Sequence, residues 1–385
     1  MKIFVVLAQP PRPQGGAAGR CAWALLLGLR AHGLQVQALA ARRPFASVEA
    51  VPDPAISVED VTPPPPSLQG RLGRITRPRS ELAGTFAARV RAEAADADVL
   101  HLDELESSWC AVGARPPSVL HLHYLVEEDR DAGVPWRRPF WTYYEERLAE
   151  QLARRRHDAL VVNSPRVADR LRRSVPSGRV TVVPLTLDPT QYRRAPLDGE
   201  PRAGLIGTLD WPPTAAAVNE LLRESWPAVQ RQVPEARLLV AGRGTERLAG
   251  QPTVDVIGSI ASSADFFDRL SVLLYPLARG SGMKVKVLEA MASGVPVVTT
   301  PAGAEGIAPN DGVVVTNTSD DLVRAASQIL RDDQERAERG QAALTSFREH
   351  YTPEEAAGHL IALYETLAVT VRSRSTGAQR PSSSA

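Results

Sequence analysis

The sequence predicts an α/β fold made of two Rossmann-like domains. Apolar runs of strand type alternate with helical patterns along the whole chain, which indicates parallel sheets connected by crossover helices. The length of 385 residues fits two domains of ordinary size. A hydrophobic content of 43% is typical of a globular protein with a sizeable core.

The first domain is predicted over residues 1–190. Lys2–Ala8 is an apolar first strand, and the helix Cys21–His32 follows it after a Pro/Gly loop. Arg42–Ser80 contains a run of prolines and is predicted as a long loop or lid, before the helix Leu82–Ala95. Further strands of this domain are predicted at Val36–Ala40, Val99–Leu102, Ser118–His123, Ala159–Asn163 and Val180–Val183.

The second domain is predicted over residues 191–371, after a linker within Pro184–Pro201. Pro353–Val369 has the pattern of an amphipathic final helix. The remaining segment, Arg372–Ala385, is rich in serine, which predicts a disordered tail.

Composition excludes several classes of function. A net charge of +1 argues against a nucleic-acid-binding protein. Two cysteines, Cys21 and Cys110, are too few for a disulfide framework or a cysteine zinc site, and they favour a reducing compartment. Met1–Ala8 is too short for a signal peptide, and no apolar run reaches the length of a membrane span. A cytoplasmic location is therefore expected.

The most informative segment is Tyr275–Ile307, which reads YPLARGSGMKVKVLEAMASGVPVVTTPAGAEGI. It follows a buried strand at Val272–Tyr275. Gly280 and Gly282 allow the backbone to turn tightly and approach a ligand closely. A helix is expected to begin near Met283, and its unpaired N–H groups and positive dipole end would bind an anion.

Lysine is concentrated at the start of this helix. The chain has only three lysines among its 45 basic residues, and two of them are Lys284 and Lys286. Lysine is a compact point charge, so this placement favours an anionic ligand over a merely solvated helix face. Glu289 has two interpretations: an i,i+3 ion pair with Lys286, or an acceptor for sugar hydroxyls.

The motif KVLEAMASGVPVVTTPAGAEGI resembles the donor-binding signature of the family 4 (group 1) retaining glycosyltransferases. The resemblance extends in order from Arg202 to about Leu367 and is weaker in the N-terminal half. It implies the GT-B fold, in which two Rossmann-like domains face each other across a cleft and a C-terminal helix crosses back to the first domain. Further segments that resemble the family are Gly204–Pro213, Pro234–Gly244 and Val254–Ile260.

The resemblance also implies the reaction. Such enzymes move a sugar from a nucleotide-diphosphate sugar to an acceptor hydroxyl and retain the anomeric configuration, with no cofactor beyond this co-substrate. GT-B enzymes generally need no bound metal, so no metal site is expected. The acceptor stays open between a glycan, a glycolipid and a small molecule.

Site residues follow from the resemblance, each beside a simpler alternative. His123 is expected to contact the donor sugar, with His121 as the alternative alignment, or to be a hydrogen-bonded strand-end histidine. Gly15 and Gly16 would form a backbone nest for phosphate or acceptor, or a plain turn. Together with the chemistry of the glycine loop, the residues expected to bind the donor are Gly280, Ser281, Gly282, Met283, Lys284, Lys286, Glu289, Arg243, Arg279 and Ile260. Arg243 and Arg279 would clamp the diphosphate, or are plain surface arginines.

Two positions depart from the family pattern. Ser281 stands where many members have a glutamate that holds the donor sugar. The segment Thr208–Pro213 lacks the arginine and lysine that many members use for the diphosphate, and we hypothesise that Lys284 and Lys286 replace that charge. These departures motivate an alternative, a non-catalytic GT-B scaffold or partner subunit. A nucleotide-sugar epimerase is a weaker alternative.

Other candidates are less specific. Asp103, Glu104 and Trp109 follow a strand and are candidates for an acceptor pocket. The basic clusters Arg71–Arg79 and Arg154–Arg156 are expected to be solvated faces, or sites of peripheral contact with anionic lipid.

Two further patterns point away from other activities. The segment after the first helix has no acidic residue at the spacing of a dinucleotide fingerprint, which argues against a nicotinamide-dependent oxidoreductase. Asp96-Ala97-Asp98 precedes a strand, so turn usage is favoured over metal binding.

Overall fold

The structure is a computed structural model that describes residues 1–44, 51–62, 76–130, 133, 138–196 and 199–377. Its first sheet has seven parallel strands in the order β3-β2-β1-β4-β5-β6-β7. The strands are β1 Lys2–Leu7, β2 Gln35–Arg42, β3 Ile56–Asp60, β4 Val99–Asp103, β5 Ser118–Leu122, β6 Ala159–Val162 and β7 Val180–Val182. Its helices are α1 Ala17–Ala31, α2 Thr85–Glu93, α3 Val126–Asp129, α4 Arg138–Arg156 and α5 Pro165–Arg172.

The second sheet has six parallel strands in the order β10-β9-β8-β11-β12-β13. The strands are β8 Arg202–Ile206, β9 Arg237–Ala241, β10 Val254–Gly258, β11 Val272–Tyr275, β12 Val297–Thr299 and β13 Val313–Val315. The helices are α6 Pro212–Glu220, α7 Trp226–Gln232, α8 Ser263–Phe267, α9 Val285–Ala292, α10 Ser319–Arg331 and α11 Asp333–His350.

Both sheets are covered on their two faces, which explains the nearly continuous apolar strands. In the first sheet Phe4 and Val6 belong to one core cluster, and Ile3 and Val5 belong to another on the opposite face. A parallel sheet covered by helices on both sides needs apolar residues at odd and even positions alike. The predicted α/β fold with two Rossmann-like domains is confirmed.

The final helix, α12 Pro353–Gly377, returns from the second domain to the first. Its residues Leu360 and Tyr364 belong to the same core cluster as β1 and α1. A Cβ added at Gly28 of α1 would lie 1.9 Å from the Pro353 carbonyl oxygen, so the two helices are in close backbone contact. The helix extends past its predicted end at Val369 into the segment predicted as a tail, and residues 378–385 lie outside the described residues.

The prediction of a loop over the whole of Arg42–Ser80 is wrong for one segment, which forms a strand. Ile56–Asp60 forms β3, which pairs in parallel with β2 at the edge of the first sheet. Ile56 is buried, and the alternation of Ile56 and Val58 is a strand pattern that the surrounding prolines obscured. The proline run at 63–66 lies outside the described residues. Among those described, no helix is both long and apolar enough to cross a bilayer.

Candidate active site

A cavity of about 370 Å³ lies between the two domains at the carboxyl ends of their strands. Ligands of open parallel sheets bind at this end of the strands, so the cavity is the candidate active site. Both domains line it, and the lining residues used below are Glu104, His123, Asp129, Asn163, Trp211, Ser281 and Lys284.

The glycine loop after β11 lies directly against the first domain. Gly280 and Gly282 have φ of +124° and +71°, conformations that residues with a Cβ rarely adopt. A Cβ on Gly282 would lie 2.2 Å from the His123 carbonyl oxygen and 2.6 Å from Asn163 Oδ1. Glycine is therefore required here both by backbone conformation and by the approach of the other domain.

Three successive N–H groups of this loop donate to side chains. The Ser281 N–H donates to Asp129 Oδ2 at 3.0 Å, the Gly282 N–H to Glu305 Oε1 at 2.9 Å, and the Met283 N–H to Asn163 Oδ1 at 3.0 Å. Arg166 of α5 in turn donates to Glu305 through its Nε at 2.8 Å. The loop is thus fixed by hydrogen bonds that join the two domains.

Helix α9 begins at Val285, two residues after the predicted start at Met283. The reason is that Lys284 has an extended backbone, with φ −100° and ψ 107°, while the preceding N–H groups are held by side chains. Leu288 and Met291 are fully buried as predicted, whereas Val285 is only partly buried.

The two lysines of this segment have different surroundings. Lys284 is buried in the cavity, and its Nζ donates to the carbonyl oxygens of Gly282 and, at 3.1 Å, Ser281. Burial lowers the pKa of Lys284, although Glu305 and Asp129 partly offset that effect. Lys286 instead donates to Glu289 Oε2 at 2.9 Å, which is the predicted i,i+3 ion pair.

The carboxylate of Glu289 is fully buried and has four charged or polar partners. Besides Lys286, its partners are Arg20 Nη2 at 2.8 Å, the Tyr192 hydroxyl at 3.3 Å and the Ser263 hydroxyl, all on Oε1. Burial alone would raise the pKa of Glu289, but Lys286 and Arg20 lower it overall. Because the carboxylate is fully buried, a sugar hydroxyl can reach it only by displacing a neighbouring group, and the role as an acceptor for sugar hydroxyls stays a prediction.

Arg20 was missed by sequence reasoning. It lies in α1 of the first domain, is 6% exposed, and also donates to Ser263 Oγ at 2.5 Å. A buried arginine is rare unless it is paired. In the sequence, the feature that could have identified Arg20 is that it is the only charged residue in AAGRCAWALLLGL, the small and apolar stretch that begins α1.

His123 lines the cavity, and its Nε2 lies 2.7 Å from Asp103 Oδ1. Burial lowers the pKa of His123, but the charge and hydrogen bond of Asp103 outweigh it and raise the pKa overall. His121 is buried behind it, and neither of its ring nitrogens has a hydrogen-bond partner within the described part of the chain. Of the two alternatives, His123 is the one that lines the cavity.

Glu104 combines a strained backbone with an unusual carboxyl group. Its φ is +67°, in the left-handed region that few non-glycine residues occupy and that is frequent at functional sites. Burial raises the pKa of Glu104 to about 7, and the neighbouring Asp103 and Glu106 act in the same direction. Trp109 has a different role, because its Nε1 donates to the Pro78 carbonyl oxygen at 2.6 Å and the Arg156 guanidinium covers its ring.

The remaining predicted donor residues are not gathered at this cavity. Arg243 pairs with Asp210 at 2.9 Å on an exposed surface. Arg279 lines a different cavity of about 840 Å³. Gly15 has φ +108° and lies with Arg20 and Ser263 around a small pocket, Gly16 is the N-cap of α1, and Ile260 packs against the second-domain core.

The basic clusters are mixed: Arg77 and Arg155 are exposed, as expected of a solvated face, whereas Arg79, Arg154 and Arg156 are partly buried and paired. Contact with anionic lipid stays a prediction. Arg79 forms ion pairs with Glu106 and with Glu146, the latter at 3.1 Å. Arg154 pairs with Glu150, and Arg156 stacks on Trp109. Residues 71–75 lie outside the described part of the chain.

Two parallel α/β domains with a cavity between their strand ends define a protein of the GT-B class. Residues 200–332 match the family described as "Glycosyl transferases group 1", and residues 15–191 match "Glycosyltransferase Family 4". The chain belongs to the family 4 (group 1) glycosyltransferases and is a glycosyltransferase of EC class 2.4. Neither the scaffold nor the epimerase alternative is favoured by these matches.

Individual relatives agree with the family. The chain is 28% identical over 374 residues to a phosphatidyl-myo-inositol mannosyltransferase from Mycobacterium leprae, covering 89% of this chain and 91% of that protein. Among solved structures it is similar to sucrose-phosphate synthase from Thermosynechococcus elongatus, with TM-score 0.72, 17% identity and coverage of 96% and 100%. It is also similar to HepE from Anabaena in complex with UDP and glucose, with TM-score 0.68, 17% identity and coverage of 95% and 99%. These structural likenesses show the fold.

Proposed function

We propose that the protein binds a nucleotide-diphosphate sugar across the interdomain cavity and transfers the sugar, with retained configuration, to an acceptor hydroxyl. The single observation that supports this most strongly is the convergence of His123, Lys284 and the start of α9 on one cavity lined by both domains. The HepE structures with UDP-glucose provide a donor of the expected chemical class in a protein of this fold.

Charge on the leaving diphosphate is stabilised by the second domain. At the start of α9 the Val287 and Leu288 N–H groups donate to the Lys284 carbonyl oxygen, so the N–H groups offered to an anion are those of Val285 and Lys286, with the buried Lys284 ammonium beside them. Preorganised positive groups of this kind stabilise charge that develops in the transition state. A charge-assisted hydrogen bond contributes roughly 1.5–3 kcal/mol, so loss of one contact weakens donor binding by about ten- to a hundredfold.

The first domain supplies the groups that face the sugar and the acceptor. His123 is held by Asp103 and orients the donor sugar, while Glu104 lies where an acceptor hydroxyl would enter the same cavity. The front-face route needs alignment of donor and acceptor more than an enzyme nucleophile, because the leaving phosphate itself helps to deprotonate the acceptor. Domain closure provides that alignment.

The acceptor class is proposed as a glycan, a glycolipid or a small molecule that bears a free hydroxyl. The Staphylococcus aureus TarM structure contains α-GlcNAc-glycerol and UDP, and the mycobacterial relative is named for a phosphatidyl-inositol acceptor. We place the reaction in the cytoplasm, which fits two free, buried cysteines. Contact with the inner face of the membrane belongs to this proposal only for a glycolipid acceptor.

The test incubates the protein with a panel of UDP-, GDP-, dTDP- and ADP-sugars without acceptor. Hydrolysis of each donor is measured as the release of its nucleotide. One donor should be hydrolysed slowly, and NMR of the released sugar should show the donor's own anomeric configuration first. Lys284→Met should lower the rate, whereas Arg243→Met, at an exposed pair outside the cavity, should not. Absence of turnover and of binding for every donor would contradict the proposal and return attention to the scaffold alternative.

A further inference from the structure

Asp129 extends from the first domain to the glycine loop of the second. It is the last residue of the short helix α3 and is 5% exposed. Its Oδ2 accepts from the Ser281 backbone N–H at 3.0 Å and also from the Ser281 hydroxyl. The Ser281 hydroxyl oxygen in turn accepts from the Leu125 N–H at 2.7 Å. The first domain therefore supplies a carboxylate beside Ser281, a position where the loop itself has no acidic residue.

The same carboxylate lines the interdomain cavity. A Cβ built on Gly280 would have three near neighbours from three separate segments: Asp129 Oδ1 at 3.6 Å, Lys284 Cε at 3.5 Å and Trp211 Cη2 at 3.5 Å. Acidic, cationic and aromatic side chains thus converge within a few ångströms, and His123 lines the same cavity.

These groups match the chemistry of a sugar. An ionised carboxylate accepts hydrogen bonds at two oxygens and cannot donate, so it pairs with hydroxyls. Aromatic faces such as that of Trp211 cover the apolar C–H surface of a ring, and the Lys284 ammonium lies on the side of α9, where the diphosphate is proposed to bind. In a buried site such hydrogen bonds are stronger than in water.

We propose that Asp129 determines donor specificity by accepting hydrogen bonds from hydroxyls of the donor sugar. This inference rests on the proposed function of the cavity. Asp129 belongs to the first domain and α9 to the second, so both ends of the donor are bound only when the cleft is closed. Selection of the sugar is therefore coupled to domain closure, whereas the nucleotide binds to the second domain alone.

The test uses Asp129→Asn, which keeps the shape and one acceptor oxygen for Ser281 but removes the charge. Calorimetric titration with the preferred nucleotide sugar should show affinity about tenfold or more below wild type. Titration with the matching nucleoside diphosphate, which lacks the sugar, should give unchanged affinity. That unchanged affinity also shows that the variant is folded.

A second variant moves the carboxylate to the loop. In the double variant Asp129→Ser with Ser281→Asp, the acidic group and the hydroxyl exchange domains while the pair is retained. It should bind the nucleotide sugar more tightly than Asp129→Asn does. Equal weakening of both ligands in Asp129→Asn would identify a mere loop brace and overturn the assignment, as would no change for either. Failure of wild type to bind any nucleotide sugar would instead overturn the proposed function, and this inference with it.

Discussion

Glu289 shows how one buried residue can have both a structural and a ligand-binding assignment. Its carboxylate binds Arg20 from the first domain and Lys286 from its own helix. A buried ion pair of this kind contributes little net stability, but removal of one partner leaves an uncompensated charge. Loss of donor binding in a Glu289 variant would therefore be ambiguous without a stability measurement.

A double-mutant cycle separates these effects. Glu289→Gln or Arg20→Met alone should each lower the free energy of unfolding by about 3–5 kcal/mol, because the remaining group stays buried and partly unpaired. The double variant should be less destabilised than the sum of the two, with a coupling energy of about 1–3 kcal/mol measured by urea unfolding. Additive effects would show that the two side chains do not interact in solution.

Glu104 predicts a pH dependence of activity. Burial and two acidic neighbours raise the pKa of Glu104 to about 7, so it loses its proton near neutrality. If the ionised Glu104 carboxylate accepts a hydrogen bond from the acceptor hydroxyl, kcat/KM for the acceptor should rise through about pH 7. Glu104→Gln should remove this rise and leave donor binding intact; an unchanged pH profile in the variant would contradict the role.

At this scale the sequence predicts local pairs and misses distant ones. The Lys286–Glu289 pair follows from helical spacing alone. Asp129 and Ser281 are 152 positions apart, and the contact depends on how two domains dock. Nothing in one sequence specifies that docking, so Arg20 and Asp129 could not be predicted as parts of the site.

The glycine loop is the element on which the two domains meet. Its positive φ angles were predictable from the glycines. At Gly282, however, glycine is also required because the His123 carbonyl oxygen, just after β5 in the other domain, approaches too closely for a Cβ. The start of α9 was predicted two residues early because the hydrogen bonds that hold the loop come from other elements. Strand β3 was missed for a similar reason, since its pairing with β2 outweighs its proline-rich surroundings.

Gly282→Ala should open the cleft. The added Cβ would lie 2.2 Å from a backbone oxygen, and the left-handed conformation adds about 1–2 kcal/mol of strain. Turnover should fall at least tenfold, with a lower melting temperature. Gly178→Ala is the matched control, because its Cβ meets nothing within 4 Å and its φ is not positive. Normal turnover by Gly282→Ala would show that the loop does not pack on the first domain.

The ends of β4 and β5 also bring together a buried His101–Asp103–His121 group, whose potential ligand atoms lie within 4.8 Å of one another. Asp103 Oδ1 is hydrogen-bonded to His123, and His101 Nδ1 lies 2.8 Å from the Tyr364 hydroxyl. We expect this group to position His123. Turnover should therefore be unchanged after exhaustive EDTA dialysis; loss of activity that Zn²⁺ or Mn²⁺ restores would contradict this expectation.

The whole molecule is organised around the contact between its two domains. Ion pairs and hydrogen bonds from α1, α3 and α5 of the first domain reach α9 and the loops beside it, and α12 returns across the first sheet. The two-domain architecture was predictable from the alternation of strands and helices. The identity of the donor sugar and of the acceptor depends on the shape of the closed cleft, which the sequence pattern does not encode.

The central claim is that a nucleotide sugar binds between the domains and contacts both. Hydrogen–deuterium exchange with and without the preferred nucleotide sugar tests it most directly. We predict protection of the loop and helix at 280–292 in the second domain together with the segments around His123 and Asp129 in the first. Protection confined to one domain, or to surfaces away from this cavity, would contradict the account.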